Sequence, residues 1–125
     1  MGILRLLGYV IPTVLLVAYS QIVIKWRLSS IEIMQGGLWE KGVSLLKALF
    51  DPYIASGFIA AFLGALAWLA AISKIPLNVG FPAYYGLTFA FVILGSSWIL
   101  DEQLTSYKLA GIVMILVGVV VGSMD

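Results

Sequence analysis

Along the chain, four long stretches carry almost no charge, and short clusters of charged and turn-forming residues separate them. The first, residues 6 to 24 (LLGYVIPTVLLVAYSQIVI), is charge-free over 19 positions, enough at about 1.5 Å per residue to cross a hydrocarbon layer about 30 Å thick. Residues 53 to 73 hold a second uninterrupted apolar run, residues 75 to 100 a third, and residues 104 to 124 a fourth whose charge-free part begins only after Lys108. The pattern predicts an all-α integral membrane protein, one domain over residues 1 to 125 with four transmembrane helices at about 6–26, 53–73, 77–100 and 104–124. Between the first and second runs, Leu38, Leu45, Leu46 and Leu49 recur among Glu40, Lys41 and Lys47 at a spacing compatible either with an amphipathic helix over 38–50 lying in the headgroup plane or with an early start of the second span. Asp51-Pro52 is a helix start, with Asp as cap and Pro in the first turn.

Composition agrees: 62% of residues are hydrophobic and the mean hydropathy is +1.11, well above the usual apolar share of roughly 45 to 50%. Cysteine and histidine are absent, which excludes disulfides, Cys/His metal sites and imidazole acid/base chemistry. The six acids all lie outside the apolar stretches, so no metal, cofactor or embedded carboxylate pair is expected, and the residues argue against an enzyme. A net charge of +1 gives no footprint for nucleic acid. No small-x-small cleavage site followed by a soluble body marks the first apolar run as a signal peptide, so it reads as a span. Arg5 and Lys74 oppose Lys25, Arg27, Lys41, Lys47 and Lys108, a bias that favours cytoplasmic first and third loops with both termini outside.

The polar residues inside the apolar runs are few. Those that stand out as candidates are Ser20 and Gln21 at the end of the first run, Trp68 in the second, and Asn78, Tyr84, Tyr85 and Thr88 in the third, with Lys25 at the rim. Hydroxyl, amide and indole groups suit a sugar or lipid headgroup, and Lys25, with Arg27 near it, suits a phosphate. Each has a bland reading beside this one. Lys25 is either a snorkelling boundary residue or a charge admitted to a cavity, Trp68 either packs or lines a route, and the tyrosine pair either packs the helix start or meets ligand. The segment 75–86, IPLNVGFPAYYG, reads as a broken helix start whose first few residues form an extended turn, with Gly80 and Pro82 as breaks and Pro12 as a bend in the first helix. Gly111, Gly118 and Gly122 form a small-residue face on the fourth helix suited to an oligomer interface. Asp101 and Glu102 read as a solvated cap for that helix.

SQIVIKW at 20–26, WLAAISKIPLNVGFPAYYGLTF at 68–89, DEQL at 101–104 and GIVMILVGVVVG at 111–122 together resemble the drug/metabolite transporter superfamily in its minimal four-helix form. Two branches compete. The small multidrug resistance proteins are proton-coupled exporters of lipophilic cations and use a glutamate in the first helix; its place here falls at about Val17, and no acid lies nearby. The EamA-like subunits that move undecaprenyl-phosphate-linked aminoarabinose carry a small-residue-Gln-x-x-x-Lys pattern, matched by Ser20, Gln21 and Lys25. That resemblance implies translocation of a polyprenyl-phosphate-linked sugar across the bacterial inner membrane by a homodimer, or by a heteromer with a similar small subunit. A nontransporting scaffold is the third reading. It is distinguished by whether the polar set converges on one cleft or disperses through packed interfaces.

Overall fold

The computed structural model describes residues 2–30 and 36–124; residues 31–35 of the first connection lie outside it. Among the described residues five helices follow in order: α1 (Ile3–Leu28), α2 (Leu38–Ala48), α3 (Pro52–Ile72), α4 (Leu77–Ile99) and α5 (Ser106–Gly122). α1, α3 and α4 are long and apolar enough to cross a membrane. α5 has 17 residues, which at about 1.5 Å each is roughly 25 Å, the lower limit for a crossing.

The helix ends follow from local chemistry. Arg5 near the start of α1, and Lys25 and Arg27 in its last turn, sit where a charged head can leave the apolar layer, so the helix extends past the charge-free run at both ends. The two cations also complement the partial negative charge of the helix C-terminus. Asp51 caps α3 as expected: its side chain accepts from the backbone N–H groups of Tyr53 and Ile54, with Pro52 in the first turn. α5 is capped differently from the sequence expectation. Thr105, rather than Asp101-Glu102, accepts from the Lys108 N–H. Asp101 instead takes a left-handed backbone, φ 56°, at the turn that ends α4.

Two further expectations, the breaks at Gly80 and Pro82, need correction. The short extended turn expected at the first residues of the segment 75–86 is present, with Pro76 extended, α4 helical from Leu77 and only Ser73–Pro76 between α3 and α4. Pro82 does not break its helix: α4 runs on through it, as α1 runs on through Pro12. Each proline leaves one carbonyl without its intrahelical donor, that of Gly8 or Asn78, while the surrounding turns keep their bonds because an apolar layer offers the backbone no other partner. Gly80 is a place of close approach rather than a break. A Cβ there would stand 2.7 Å from Ile75 Cδ1 and 3.6 Å from a Trp68 ring carbon.

α1 runs antiparallel to α3 and alongside α4, and it contacts both extensively. Glycines set the spacing. Gly57 and Gly64, seven residues apart on α3, receive Ile24 and Val17 of α1; Gly95 of α4 receives Ile22. Gly86 of α4 receives Val119 and Ile115 of α5. A core of Leu6, Val10 and Val14 from α1, Ala71 from α3, and Ile75 and Ala83 closes the end of the bundle nearest the N-terminus. The outside is the greasier surface: Phe62, Leu69, Met114 and Trp98 are all more than half exposed, the reverse of a water-soluble domain and the arrangement lipid favours. α5 packs on α4, with Ile112 its one buried residue, and Gly111, Gly118 and Gly122 have no atom within 4 Å of an added Cβ.

Thr13 carries a hydroxyl that is buried with no hydrogen-bond partner, in the α1 face that meets Gly64. Valine has nearly the same shape without the unpaired group. Thr13→Val is therefore expected to raise stability by about 1 kcal/mol, seen as a higher unfolding midpoint in detergent; a lower midpoint would show that the hydroxyl has a partner in the membrane.

Candidate functional site

A cleft of about 330 Å³ opens on the side of the bundle between α1 and α4, lined by Val17 and Gln21 from α1 and by Tyr84, Tyr85, Thr88 and Phe89 among the α4 residues. The α4 wall is one helical face. Phe81, Tyr84, Tyr85, Thr88 and Phe89 follow the i, i+3, i+4, i+7, i+8 pattern, so their side chains stack along the helix. The ring centroids of Tyr84 and Tyr85 are 4.9 Å apart, Phe81 meets Tyr85 edge-on at 4.6 Å, and Phe89 lies 5.9 Å from Tyr85. Trp68 of α3 stacks behind this row, 4.9 Å from Tyr84. Tyr84 is half-buried against that tryptophan, while Tyr85 is exposed on the cleft side. Thr88 donates its hydroxyl to the Tyr84 carbonyl at 2.6 Å, which leaves its oxygen lone pairs as the part it can offer to the cleft.

The sequence-derived set is thus only partly assembled. Gln21, Tyr84, Tyr85 and Thr88 converge, and Trp68 buttresses them. Ser20, 2% exposed, is packed within the bundle, and Asn78 is exposed near the start of α4; neither lines the cleft. Lys25 is exposed one turn beyond Gln21 on α1, at the rim rather than in the wall. Val17, at the place of the small multidrug resistance glutamate, lies in the wall itself and makes that part apolar.

Sequence reasoning missed the fastening of α1 to α3 beside this site. Arg27 Nε donates to Asp51 Oδ1 at 2.8 Å, and the guanidinium also lies 5.4 Å from the centre of the Tyr53 ring. Trp26 meets Tyr53 edge-on at 5.1 Å, and the Tyr19 hydroxyl is 2.9 Å from Ser56 Oγ. Burial pushes the Asp51 carboxyl upward. The Arg27 hydrogen bond and charge, with the N–H groups of Ile54 and Tyr53, outweigh it and hold the group below its usual 3.8. Arg27 is therefore committed to α3, and Lys25 is the cation of this pair left facing outward. The sequence signal was available: an arginine ending one apolar run and an aspartate opening the next.

These features define a membrane-embedded helical bundle with a tyrosine- and amide-lined cleft that contains no carboxylate. Curated proteins match nearly the whole chain. The probable 4-amino-4-deoxy-L-arabinose-phosphoundecaprenol flippase subunit ArnF of Aeromonas salmonicida (strain A449) is 31% identical over 117 residues, 90% of this chain and 74% of that protein. The subunit of the same description from Photorhabdus laumondii subsp. laumondii is 30% identical over 118 residues, 90% of this chain and 93% of that protein. The probable subunit ArnE of Serratia proteamaculans (strain 568) is 23% identical over 87 residues, 70% of this chain and 75% of its own length. The chain belongs to the family of these aminoarabinose-phosphoundecaprenol flippase subunits. No protein-family model and no solved structure matches it.

Proposed function

We propose that the protein translocates a polyprenyl-phosphate-linked sugar between the leaflets of the bacterial inner membrane, as a four-span subunit of a homodimer or of a heteromer with a similar small chain. The observation that carries this reading is the cleft at Gln21, Tyr84, Tyr85 and Thr88. It offers an amide, two phenols and a threonine oxygen to replace water around a sugar, with aromatic faces for the sugar ring and Lys25 one turn away for the phosphate. Movement of a headgroup along such a cleft needs no covalent chemistry, so no catalytic residue is assigned. The outward-facing Gly111, Gly118 and Gly122 of α5 are where a second subunit would approach most closely. Cation export is disfavoured because Val17 supplies no charge to attract a cation or carry a proton.

The test is transfer of a labelled undecaprenyl-phosphate sugar across vesicles containing the purified protein, with Val17→Glu as the diagnostic variant. Residues 17 and 25 are eight apart on α1, about 12 Å along the axis. A carboxylate at that distance from a phosphate held by Lys25 costs about 1.4 kcal/mol at an effective dielectric constant of about 20, or about tenfold in transfer. Wild-type protein that moves no such lipid would sink the proposal. Undiminished transfer by Val17→Glu would place the headgroup elsewhere.

A further inference from the structure

Beneath α2 lies a second and larger hollow, about 580 Å³, between that helix and the adjoining ends of α1 and α3. Its walls include Ile24 and Leu28 of α1, Leu45 and Leu49 of the α2 segment, and Ile54 and Phe58 of α3. None of the residues lining it is charged or has a polar side chain other than the Trp39 indole. The volume falls within the roughly 300 to 1,000 Å³ of small-molecule sites. α2 itself barely joins the bundle: Ala48 is its one buried residue, while Leu38 is 90% exposed and Trp39 81%. A helix so placed roofs a space without filling it.

The hollow and the cleft are both walled by the same face of α1. Val17 and Gln21 line the cleft, Ile24 and Leu28 line the hollow, and the spacing 17, 21, 24, 28 is a single stripe on one helix face. Lys25 borders that stripe as the i+4 neighbour of Gln21 and the i−3 neighbour of Leu28. Read in order, the face passes from hydrogen-bonding groups through a cation to hydrocarbon. Lys41 and Lys47 on α2 add positive charge at the same end of the bundle, whereas Glu40 folds back over Gly36 and Gly37 at the start of α2.

We infer that the hollow under α2 is the seat of the first isoprenoid units of the lipid whose sugar enters the cleft and whose phosphate meets Lys25. This inference rests on the proposed function, since it takes its occupant from the cleft on the same α1 face. α2 is then a lipid-holding flap that keeps the chain beside the bundle while the headgroup crosses.

Gly42 lines the hollow, and a Cβ added there meets nothing within 4 Å, so a side chain can be introduced at this wall without a clash at its first atom. The experiment uses the full chain in vesicles of phosphatidylethanolamine and phosphatidylglycerol, with undecaprenyl phosphate as the probe and the lipid retained on purification read by mass. Wild type is expected to hold undecaprenyl phosphate in preference to phosphatidylglycerol by about tenfold or more. Gly42→Trp, and independently Leu45→Asn, are expected to erase that preference with the unfolding midpoint kept. Either variant retaining the full preference while folded, or phosphatidylglycerol competing equally in wild type, would overturn the inference. Wild type that shows the preference, loses it in both variants, yet transfers no sugar would uphold the seat and overturn the transport reading.

Discussion

Gly64→Leu is expected to separate α1 from α3 and cost about 3 kcal/mol of stability, at the upper end of overpacking penalties. A Cβ at this position already stands 3.1 Å from Val17 Cγ2 and 3.4 Å from Leu16 Cβ, with the Thr13 carbonyl oxygen 3.7 Å away. Gly57 makes a shorter first contact, 2.6 Å to Ile24 Cγ1. Ile24, however, borders the hollow under α2 and has space to turn into. At Gly64 the obstacle includes the α1 backbone, which yields only if the helices part. Since helices in lipid are held by close van der Waals contact rather than by exclusion of water, parting them removes the main attraction between them. The unfolding midpoint in detergent measures this, with Gly8→Leu as the control: no atom lies within 4 Å of a Cβ there, and its change is expected to stay within about 0.5 kcal/mol. A Gly64→Leu protein as stable as wild type would show that α1 and α3 do not pack this way.

Lys25→Glu is expected to reduce sugar-lipid transfer by about a hundredfold or more, and Lys25→Ala by about tenfold. At about 4 Å and an effective dielectric constant of about 20, one unit-charge interaction is about 4 kcal/mol before the loss of hydration is counted. Desolvation of lysine and phosphate cancels much of that, so removing the charge leaves a tenfold effect, while reversing it adds repulsion to the lost attraction. Lys25→Arg is expected to restore most of the transfer, because a guanidinium also binds phosphate. The assay is the same vesicle transfer, normalised to protein correctly inserted. Equal rates for wild type and Lys25→Ala would remove Lys25 from the mechanism and leave it a snorkelling boundary residue. Arg27 does not stand in for it, since its guanidinium is held by Asp51 at 2.8 Å.

Much of the helical framework was legible because its causes are local. Charge-free length predicts the long apolar helices, Asp51-Pro52 predicts the start of α3, and leucine spacing is compatible with α2, whose observed range, Leu38–Ala48, falls within 38–50. The candidate cleft was legible in part. Tyr84, Tyr85 and Thr88 share a face by helical periodicity, and Gln21 stood out as an amide in hydrocarbon. Ser20 and Asn78 were chosen on the same chemical grounds and lie elsewhere, because polarity marks a residue as unusual without saying which way it points. The readings of Gly80 and Pro82 as breaks went astray for a related reason. Their breaking tendency is measured against water, which competes for backbone groups, and a membrane interior does not.

By itself, then, the sequence determined which stretches are helices, that no carboxylate enters the apolar layer, and which few polar groups are available there. Only the tertiary structure decided which glycines pack, that Tyr85 rather than Ser20 or Asn78 faces the cleft beside Gln21, that Arg27 is tied to Asp51, and that α2 roofs an apolar hollow. The physical reason is that lipid rewards an apolar side chain on every face of a helix. In α3, α4 and α5 the inward and outward sides are written in nearly the same alphabet, and size and contact across helices, rather than polarity, select the side that is buried.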